Sequence, residues 1–484
     1  MNPTLILACF LTYTALLFLI TWLTARKATN RSFFIGNKAS PWMVVAYGMI
    51  GASMSGVTFM SVPGWVGTTG FSYMGVVIGY VFGYIVIATI LLPLYYRMNL
   101  TSIYTYLDTR FGFWSYKTGA FYFILSRVIG ASFRMFLVVN VLQIFVFDAW
   151  NIPFHVTVLI FITLILLYTF KGGIKTIIWT DTIQTTFMLL SLGVCIYLIM
   201  DQLGLNLFEM IDKVSVSRYS KMIYSDWNDK HFFLKEVFSG AFIAIVMTGL
   251  DQEMMQKNLS CRSLHDAQKN MFTYTGIMVV VNMVILFLGA SLFLYSDAND
   301  IAIPGRSDDL FPVIAINHLG PFAGLVFLIG LISAAYPSAD GALTSLTTSF
   351  SIDFLGIDKR QDIDERRKKK IRQQVHIGFA FVLLIVIVVF RAINDRAVID
   401  KLFTVAGYTY GPLLGLYAFG LFTKLGVKDR LVPIIALISP VLCYIVSEYS
   451  VILFNGYRFG FELLILNGII TFAGLLLIRQ KHKK

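Results

Sequence analysis

Long apolar runs alternate with short polar loops along nearly the whole chain. Many of these runs reach the roughly 20 residues that an α-helix needs to cross the hydrocarbon core of a bilayer. The pattern therefore predicts an all-α polytopic membrane protein with about 13 transmembrane helices. The predicted spans are residues 3–24, 42–69, 73–96, 117–147, 154–170, 177–200, 236–255, 271–295, 322–352, 374–392, 400–422, 431–447 and 460–478.

Basic residues are concentrated in short loops between the apolar runs. A net charge of +12 raises the question of nucleic-acid binding, but this distribution is typical of membrane proteins, whose cytoplasmic loops are rich in lysine and arginine. The basic segments are the loop from Arg26 to Lys38, the run DERRKKK at 364–370 and the tail RQKHKK at 479–484. We therefore expect a cell (plasma or inner) membrane protein with its N-terminus outside, its C-terminus in the cytoplasm and no nucleic-acid partner.

The cysteines and histidines form no recognisable site. The four cysteines show no paired spacing, which argues against a disulfide framework or a metal-binding knuckle. The six histidines are scattered, and no zinc, phosphate-loop or nucleophile-elbow spacing is present. We therefore predict that the protein is not an enzyme and uses no organic cofactor.

The second apolar run contains residues that a lipid-facing helix has no reason to hold. Between residues 49 and 70 it carries Gly51, Ser53, Ser55 and Thr58, followed by Pro63 and further glycines. Glycine and proline weaken a helix, and backbone freed at membrane depth must find partners in protein, water or a ligand. The run therefore predicts a broken helix that lines a cavity, although small residues also permit close helix contacts.

Five ionisable side chains fall inside predicted spans, where their cost makes them candidates for function. They are Arg127, Arg134, Asp181, Asp251 and Asp340. The two arginines are seven residues apart and so lie within about 20° of each other around a helix. Each of them either lines a cavity or satisfies an internal acid or carbonyl group.

The span from 322 to 352 has a cluster of candidate oxygen ligands. Ala334 and Ser338 are four residues apart, so a carbonyl of the first and a hydroxyl of the second lie on one helix face. Pro337 cannot donate to the carbonyl of Ser333, which leaves that oxygen free. Compact oxygen clusters suit a hard cation, although serine and threonine also bond back to their own helix.

Five stretches of the sequence together resemble the sodium:solute symporter family. One of them, YTFKGGIKTIIWTDTIQ, is similar to the family's Gly-Gly element and its following Trp-Thr-Asp-x-x-Gln signature. Another, TGLDQEMMQKNL, resembles its Asp-Gln-x-x-x-Gln element. The resemblance covers about residues 30–425 and includes the order of the elements. The five stretches lie at 33–70, 168–184, 248–259, 330–354 and 407–422.

The resemblance implies an inverted-repeat transporter fold. Two five-helix repeats of opposite orientation would enclose a site near the membrane midplane, with the first helix of each repeat broken there. One extra helix would precede the repeats and two would follow them. The implied divisions are 1–40 (extra helix and cytoplasmic loop), 41–200 (repeat 1), 201–235 (extracytoplasmic loop), 236–422 (repeat 2, with basic loop 356–373) and 423–484 (two helices and basic tail).

A sodium site and a second cation site are also implied by the resemblance. The family's main sodium site corresponds to the carbonyls of Gly51 and Met54 together with Ala334, Pro337 and Ser338. Family members commonly have a second serine where this chain has Pro337, so a free carbonyl or a water would replace one hydroxyl ligand. The second site, present in some members, corresponds to Asp181 and to hydroxyl positions that fall near Asp340 and Gly341 here.

The implied substrate is a small organic anion. The hydroxyls of Ser53, Ser55 and Thr58 suit a polyol or a carboxylate, and Arg127 or Arg134 could clamp a carboxylate. We therefore expect sodium-coupled symport, by alternating access, of a solute such as a sialic acid or a monocarboxylate. The alternatives are a proton-coupled carrier that uses its buried acids, or a sodium symporter of a sugar or an amino acid. The expected partners are the solute, the sodium ion and the bilayer.

Overall fold

The computed structural model describes residues 3–24, 29–393 and 398–480. Part of the predicted basic loop, Arg26 and Lys27, and the last residues of the basic tail, 481–484, lie outside the described residues. Within the described ranges the chain is mostly helical. A short antiparallel pair joins β1 (Gly426–Val427) to β2 (Arg479–Gln480) near the end of the chain.

The first half of the chain contains ten helices within the described residues. Five of them are single helices that follow predicted apolar runs, and two come from one bent run. Their bounds are α1 (Pro3–Thr24), α2 (Asn30–Ile35), α3 (Trp42–Ser53), α4 (Gly56–Thr69), α5 (Tyr73–Arg97), α6 (Thr105–Arg110), α7 (Phe113–Trp150), α8 (Phe154–Gly172), α9 (Ile174–Gln202) and α10 (Leu207–Ser215).

The second half, in its described part, continues with further long helices and a few short ones. Three-residue helical turns lie at Arg218–Ser220, Ser307–Asp309 and Asp429–Leu431. The helices are α11 (Phe233–Gly249), α12 (Gln252–Leu259), α13 (Leu264–Ala298), α14 (Leu310–Val313), α15 (Pro321–Phe354), α16 (Glu365–Ile393), α17 (Val398–Phe422), α18 (Val432–Glu448), α19 (Ser450–Leu453) and α20 (Leu463–Leu477).

The apolar run that the sequence predicts to be broken is bent by 57° between α3 and α4. The last hydrogen bond of α3 runs from the Met54 N–H to the Ile50 carbonyl at 2.8 Å. Met54 then leaves the helical region, with φ −83° and ψ 58°, and Ser55 begins α4. A helix end leaves its last carbonyls without helical partners, so the break frees polar backbone deep inside the protein.

A second break, of 65°, separates α11 from α12. Asp251 lies in this break and caps α12, because its Oδ1 accepts from the N–H groups of Glu253 and Met254 at 2.9 and 3.2 Å. An aspartate in this position satisfies orphan donors and favours the positive end of the helix. The sequence analysis placed Asp251 inside the span 236–255, and the resemblance implied a break in that helix; in the structure Asp251 lies at the break and caps the separate helix α12.

Among the described residues, eight helices are long and apolar enough to cross a membrane by length and composition, or ten if each bent pair counts as one span. The other three predicted spans correspond to α8, α17 and α20. The structure thus supports a polytopic helical protein, and the count of 13 stays a prediction.

Helix α15 lies at the centre of the molecule. Every residue from Gly330 to Ser349 is buried, and the helix packs against α3, α4, α7 and α9. Pro337 is accommodated without a break, inside a helix whose surroundings are already fixed by these neighbours. A helix that is buried on all sides and still carries serine, threonine and aspartate needs internal partners for them, which makes α15 the natural place to look for an ion site.

Candidate functional site

A narrow cavity lies between the first break and helices α5, α7 and α11. Its volume is about 70 Å³, well below the roughly 300–1,000 Å³ of typical small-molecule pockets. All five side chains expected to bind the solute line this one cavity. They are Ser53, Ser55, Thr58, Arg127 and Arg134.

The two arginines of α7 have different surroundings. Arg127 contacts the carboxylate of Glu253 and lies 3.6 Å from Oδ2 of Asp251. Arg134 is buried to a similar degree, but no ion pair or hydrogen bond satisfies it among the described residues, and its Nε has no acceptor. The positive charge of Arg127 is therefore neutralised inside the protein, while that of Arg134 is left for the contents of the cavity.

A row of tyrosine hydroxyls forms a second polar surface of the cavity. Tyr73, Tyr80 and Tyr84 are spaced seven and four residues apart on α5, which places them on one face. The hydroxyls of Tyr73 and Tyr80 are 3.2 Å apart, and that of Tyr84 is 3.1 Å from Tyr274. The Tyr274 hydroxyl in turn lies 2.5 Å from Oγ of Ser53. The sequence analysis missed these tyrosines, although their helical spacing was a usable signal.

The remaining lining is mostly apolar, with one buried acceptor that has no partner among the described residues. Met247, Met254 and Met278 contribute flexible side chains that adapt to differently shaped ligands. Asn282 donates to the carbonyl of Met278 at 2.8 Å, but its own Oδ1 has no hydrogen-bond partner in the described part of the chain. The cavity therefore combines an unneutralised cation, hydroxyls, one free amide oxygen and apolar walls.

An aromatic layer separates this cavity from a wider chamber. Tyr73 lines the cavity and packs against Trp65, with ring centroids 6.1 Å apart. Trp65 also contacts His231, which lines the neighbouring chamber of about 870 Å³. Phe403 closes the cavity beside Phe461, at a centroid distance of 4.7 Å. A solute that moves between chamber and cavity must displace these rings.

The residues expected at the main sodium site lie on α3, at its break, and on α15, which pack against each other. The N–H of Gly51 donates a hydrogen bond to Oγ1 of Thr185 at 3.0 Å. Met54 lies in the break itself. On α15, Oγ of Ser338 is completely buried and has no hydrogen-bond partner among the described residues. This oxygen is therefore available to an ion, as is the hydroxyl of Thr344 further along the same helix. Ala334 and Pro337 lie on the same buried helix.

The residues expected at the second cation site have protein partners. Oδ2 of Asp181 is 2.7 Å from Nζ of Lys257. Oδ2 of Asp340 accepts a hydrogen bond from the Tyr168 hydroxyl at 2.6 Å. Within the described ranges, Oδ1 of Asp340 has no partner, and no group of three or more acids, histidines or cysteines is placed to hold a metal ion.

Lys257 and Glu253 are buried inside the protein, which the sequence analysis did not predict. The predicted span 236–255 ends before Lys257, but in the structure α12 continues past it, and the side chains of Lys257 and Glu253 are each about 1% exposed. The reason is the second break, which turns α12 back into the protein instead of letting the chain leave the membrane. The only sequence signal for this turn was weak: it was Asp251, a residue type that often caps the start of a helix.

The comparison with known families decides the assignment. The profile of the sodium:solute symporter family matches residues 33–426. The chain belongs to the sodium:solute symporter family. The resemblance found in the sequence is thereby confirmed, and sodium is the coupling ion of this family. The chain is a membrane transporter and not an enzyme, as the sequence predicted.

Individual members of the family are distant relatives. The chain is 25% identical over 415 residues to the sodium-coupled monocarboxylate transporter 1 of Mus musculus, covering 82% of this chain and 64% of that protein. It therefore spans a little less than two thirds of the mouse transporter's length. It is 23% identical over 422 residues to the sodium/sialic acid symporter SiaT of Proteus mirabilis, covering 85% and 83% of the two chains.

Solved structures of transporters share the fold of this symporter. A substrate-bound, outward-open sodium-coupled sialic acid symporter superimposes with a TM-score of 0.80 at 18% identity, over 99% of both chains. The closed form of Mhp1, a nucleobase-cation-symport-1 transporter with a hydantoin bound, gives a TM-score of 0.59 at 14% identity, over 93% of both chains. These identities are too low to carry more than the fold.

Proposed function

We propose that this protein is a secondary active transporter that couples the uptake of a small organic anion to sodium. One observation carries the choice of an anion: Arg134 lines the narrow cavity and has no ion-pair partner among the described residues. A buried charge without a partner is costly. A solute carboxylate would remove that cost by accepting a bidentate hydrogen bond from the guanidinium.

The other polar groups of the cavity would orient the anion. Ser53, Ser55 and Thr58 offer hydroxyls next to the break, and the tyrosine row offers more on α5. Arg127 also lines the cavity, but its own charge is already balanced by acidic side chains of the protein. This division of roles supports a solute with one carboxylate, such as a monocarboxylate or a sialic acid, over a neutral sugar.

The proposed sodium site lies between the first break and α15. Carbonyls of Gly51 and Met54 would bind the ion from one side, and Ala334, Pro337 and Ser338 from the other. The unpartnered hydroxyl of Ser338 supports this assignment. An ion held there would fix the broken helix against α15 and favour the conformation that admits the solute. Coupling of this kind is reciprocal, so the solute would raise sodium affinity by the same factor.

The transport cycle that we propose is alternating access in a cell membrane. Two inverted repeats, 41–200 and 236–422, would rock around the cavity, with 13 spans in total, the N-terminus outside and the C-terminus in the cytoplasm. The bend in the first helix of each repeat supports this division. Entry of a net positive charge would be favoured by about 2.3 kcal/mol per charge for each 100 mV of membrane potential.

Uptake by proteoliposomes tests the proposal. Labelled sialic acid, a short monocarboxylate, proline and a hexose would be offered under a sodium gradient, a proton gradient or neither. We expect uptake of an anion only under the sodium gradient. Sodium-driven uptake of proline or hexose alone would reject the anion assignment and leave the coupling ion intact.

A proton-coupled carrier is the second candidate. The observation that favours it is Asp340, a buried acid that has one bonded and one unpartnered oxygen. Uptake that follows the proton gradient in the absence of sodium would support this candidate and reject the sodium site proposed above.

A further inference from the structure

A buried ion pair joins two helices beside the ion-binding region. Nζ of Lys257, on α12, lies 2.7 Å from Oδ2 of Asp181, on α9, and both side chains are about 1% exposed. Gln184, with its amide oriented to donate, reaches the other oxygen of Asp181 at 3.2 Å. Both oxygens of the Asp181 carboxylate therefore have a partner within the protein itself.

A second acid holds the ammonium group from the opposite side. Oε1 of Glu253, one turn before Lys257 on the same helix, lies 3.5 Å from Nζ. Glu253 fits there because α15 has a glycine, Gly341, at the contact, where any Cβ would overlap the Glu253 carboxylate. The absence of a side chain at 341 thus admits the acid that fixes Lys257 and removes a potential hydroxyl ligand.

A lysine ammonium and a sodium ion carry the same charge, and both bind carboxylate oxygens. Two such cations cannot share one buried carboxylate without strong repulsion, because the low dielectric of the interior weakly screens them. Lys257 has the advantage of a covalent tether, so it pays no translational entropy to stay in place.

We propose that Lys257 is a tethered cation that occupies Asp181, so that this transporter couples to a single sodium ion, held elsewhere. The inference rests on the proposed sodium-coupled function and refines it. Lys257 acts here as a positioning residue that sets the ion count, and Asp181 is its counter-ion and not a sodium ligand. The ion pair also ties α9 of the first half of the chain to α12 of the second.

Binding of ²²Na⁺ to the purified, full-length protein tests the proposal without any organic solute. We expect one sodium ion per protein in the wild type. In Lys257→Gln, which keeps the length but removes the charge, we expect a second sodium ion to bind at the freed Asp181. Lys257→Arg keeps a tethered cation and serves as the matched control, with an expected count of one.

A double variant keeps the proposal testable if Lys257→Gln does not fold. Asp181→Asn combined with Lys257→Gln replaces the ion pair by two neutral amides, a change that buried ion pairs often tolerate. We expect it to bind one sodium ion with a half-saturating concentration within about threefold of the wild type. A loss of tenfold or more would show that Asp181 binds sodium and would overturn the proposal.

The outcomes separate this inference from the proposed function. Two sodium ions in the wild type, or a count that stays at one in folded Lys257→Gln, would overturn the tethered cation and leave sodium coupling intact. No bound sodium in any variant would reject the sodium-coupled function itself.

Discussion

Arg127 and Arg134 lie two turns apart on α7 and line the same cavity, yet only Arg127 has an ion-pair partner among the described residues. Its partners, Asp251 and Glu253, both come from the second break. Arg134, on the same face of α7, has no acidic partner among the described residues, because the segment that carries Asp251 and Glu253 turns away from it at α12. This asymmetry gives two equally buried arginines different roles.

Replacing the two arginines one at a time should show that Arg134 contributes to anion binding and Arg127 to the stability of the folded protein. We expect Arg134→Gln to raise the KM for the anion by about 30-fold or more, since losing a desolvated charge pair costs about 2–5 kcal/mol. Its thermal stability should be unchanged or higher, because a buried unpaired charge is removed. Uptake kinetics and a thermal melt of the purified protein would measure both effects.

Arg127→Gln is the matched control for that experiment. It removes the arginine that neutralises two buried carboxylates, and breaking a buried ion pair typically costs about 3–5 kcal/mol of stability. We expect a clearly lower melting temperature. Equal melting temperatures for the two variants would contradict the assignment of Arg127 to the protein and Arg134 to the solute.

Ser338→Ala should weaken sodium activation. The Ser338 hydroxyl is buried and unpartnered among the described residues, so its removal costs the folded protein little but takes one ligand from the ion. We expect the half-saturating sodium concentration to rise about tenfold, or roughly 1.4 kcal/mol. Ser345, two turns along the same helix, bonds the carbonyl of Ala342 at 3.0 Å, so Ser345→Ala is the control. An unchanged sodium response in Ser338→Ala would remove that residue from the site.

Tyr274→Phe should remove one hydroxyl from the hydrogen bonds of the tyrosine row and keep the aromatic ring in place. The Tyr274 hydroxyl joins Ser53 to Tyr84, and leaving buried polar partners unsatisfied costs about 1–3 kcal/mol. We expect a five- to 100-fold loss in kcat/KM. Tyr295, further along α13, bonds Gln202 instead, so Tyr295→Phe should leave kcat/KM within about twofold. Equal losses in both variants would show a general effect on α13.

A glycine contact between α5 and α11 should be essential for folding. A Cβ on Gly79 would overlap the carbonyl of Val237, and one on Gly240 would overlap that of Val76. Gly79→Ala therefore has no room unless the helices move apart, and we expect little folded protein by size-exclusion chromatography. Gly193, in α9, has nothing within 4 Å of an added Cβ. There, alanine should be neutral or stabilise the helix by up to about 1 kcal/mol. Normal folding of Gly79→Ala would contradict this packing.

Local patterns in the sequence predicted much of the fold. The apolar runs correspond to helices, because burying apolar side chains in a bilayer depends on the composition of each run more than on its neighbours. The break after Ser53 was also predictable, since glycine, serine and proline weaken a helix whatever surrounds it. The second break was implied by the resemblance, but its position at Asp251 was not predictable from the residues, because Gly249 alone among such residues lies next to it.

The sequence by itself determined the apolar helical runs, the first break, the family and five of the polar residues that line the cavity. Only the tertiary structure decided how the buried polar residues pair. Lys257 reaches Asp181 across 76 positions of sequence, and the same turn of α12 gives Arg127 its acids and leaves Arg134 without one. The role of a buried charge depends on which opposite charge lies within a few ångströms, because the low dielectric of the interior screens charges weakly. That distance is set by helix packing, which no local pattern encodes.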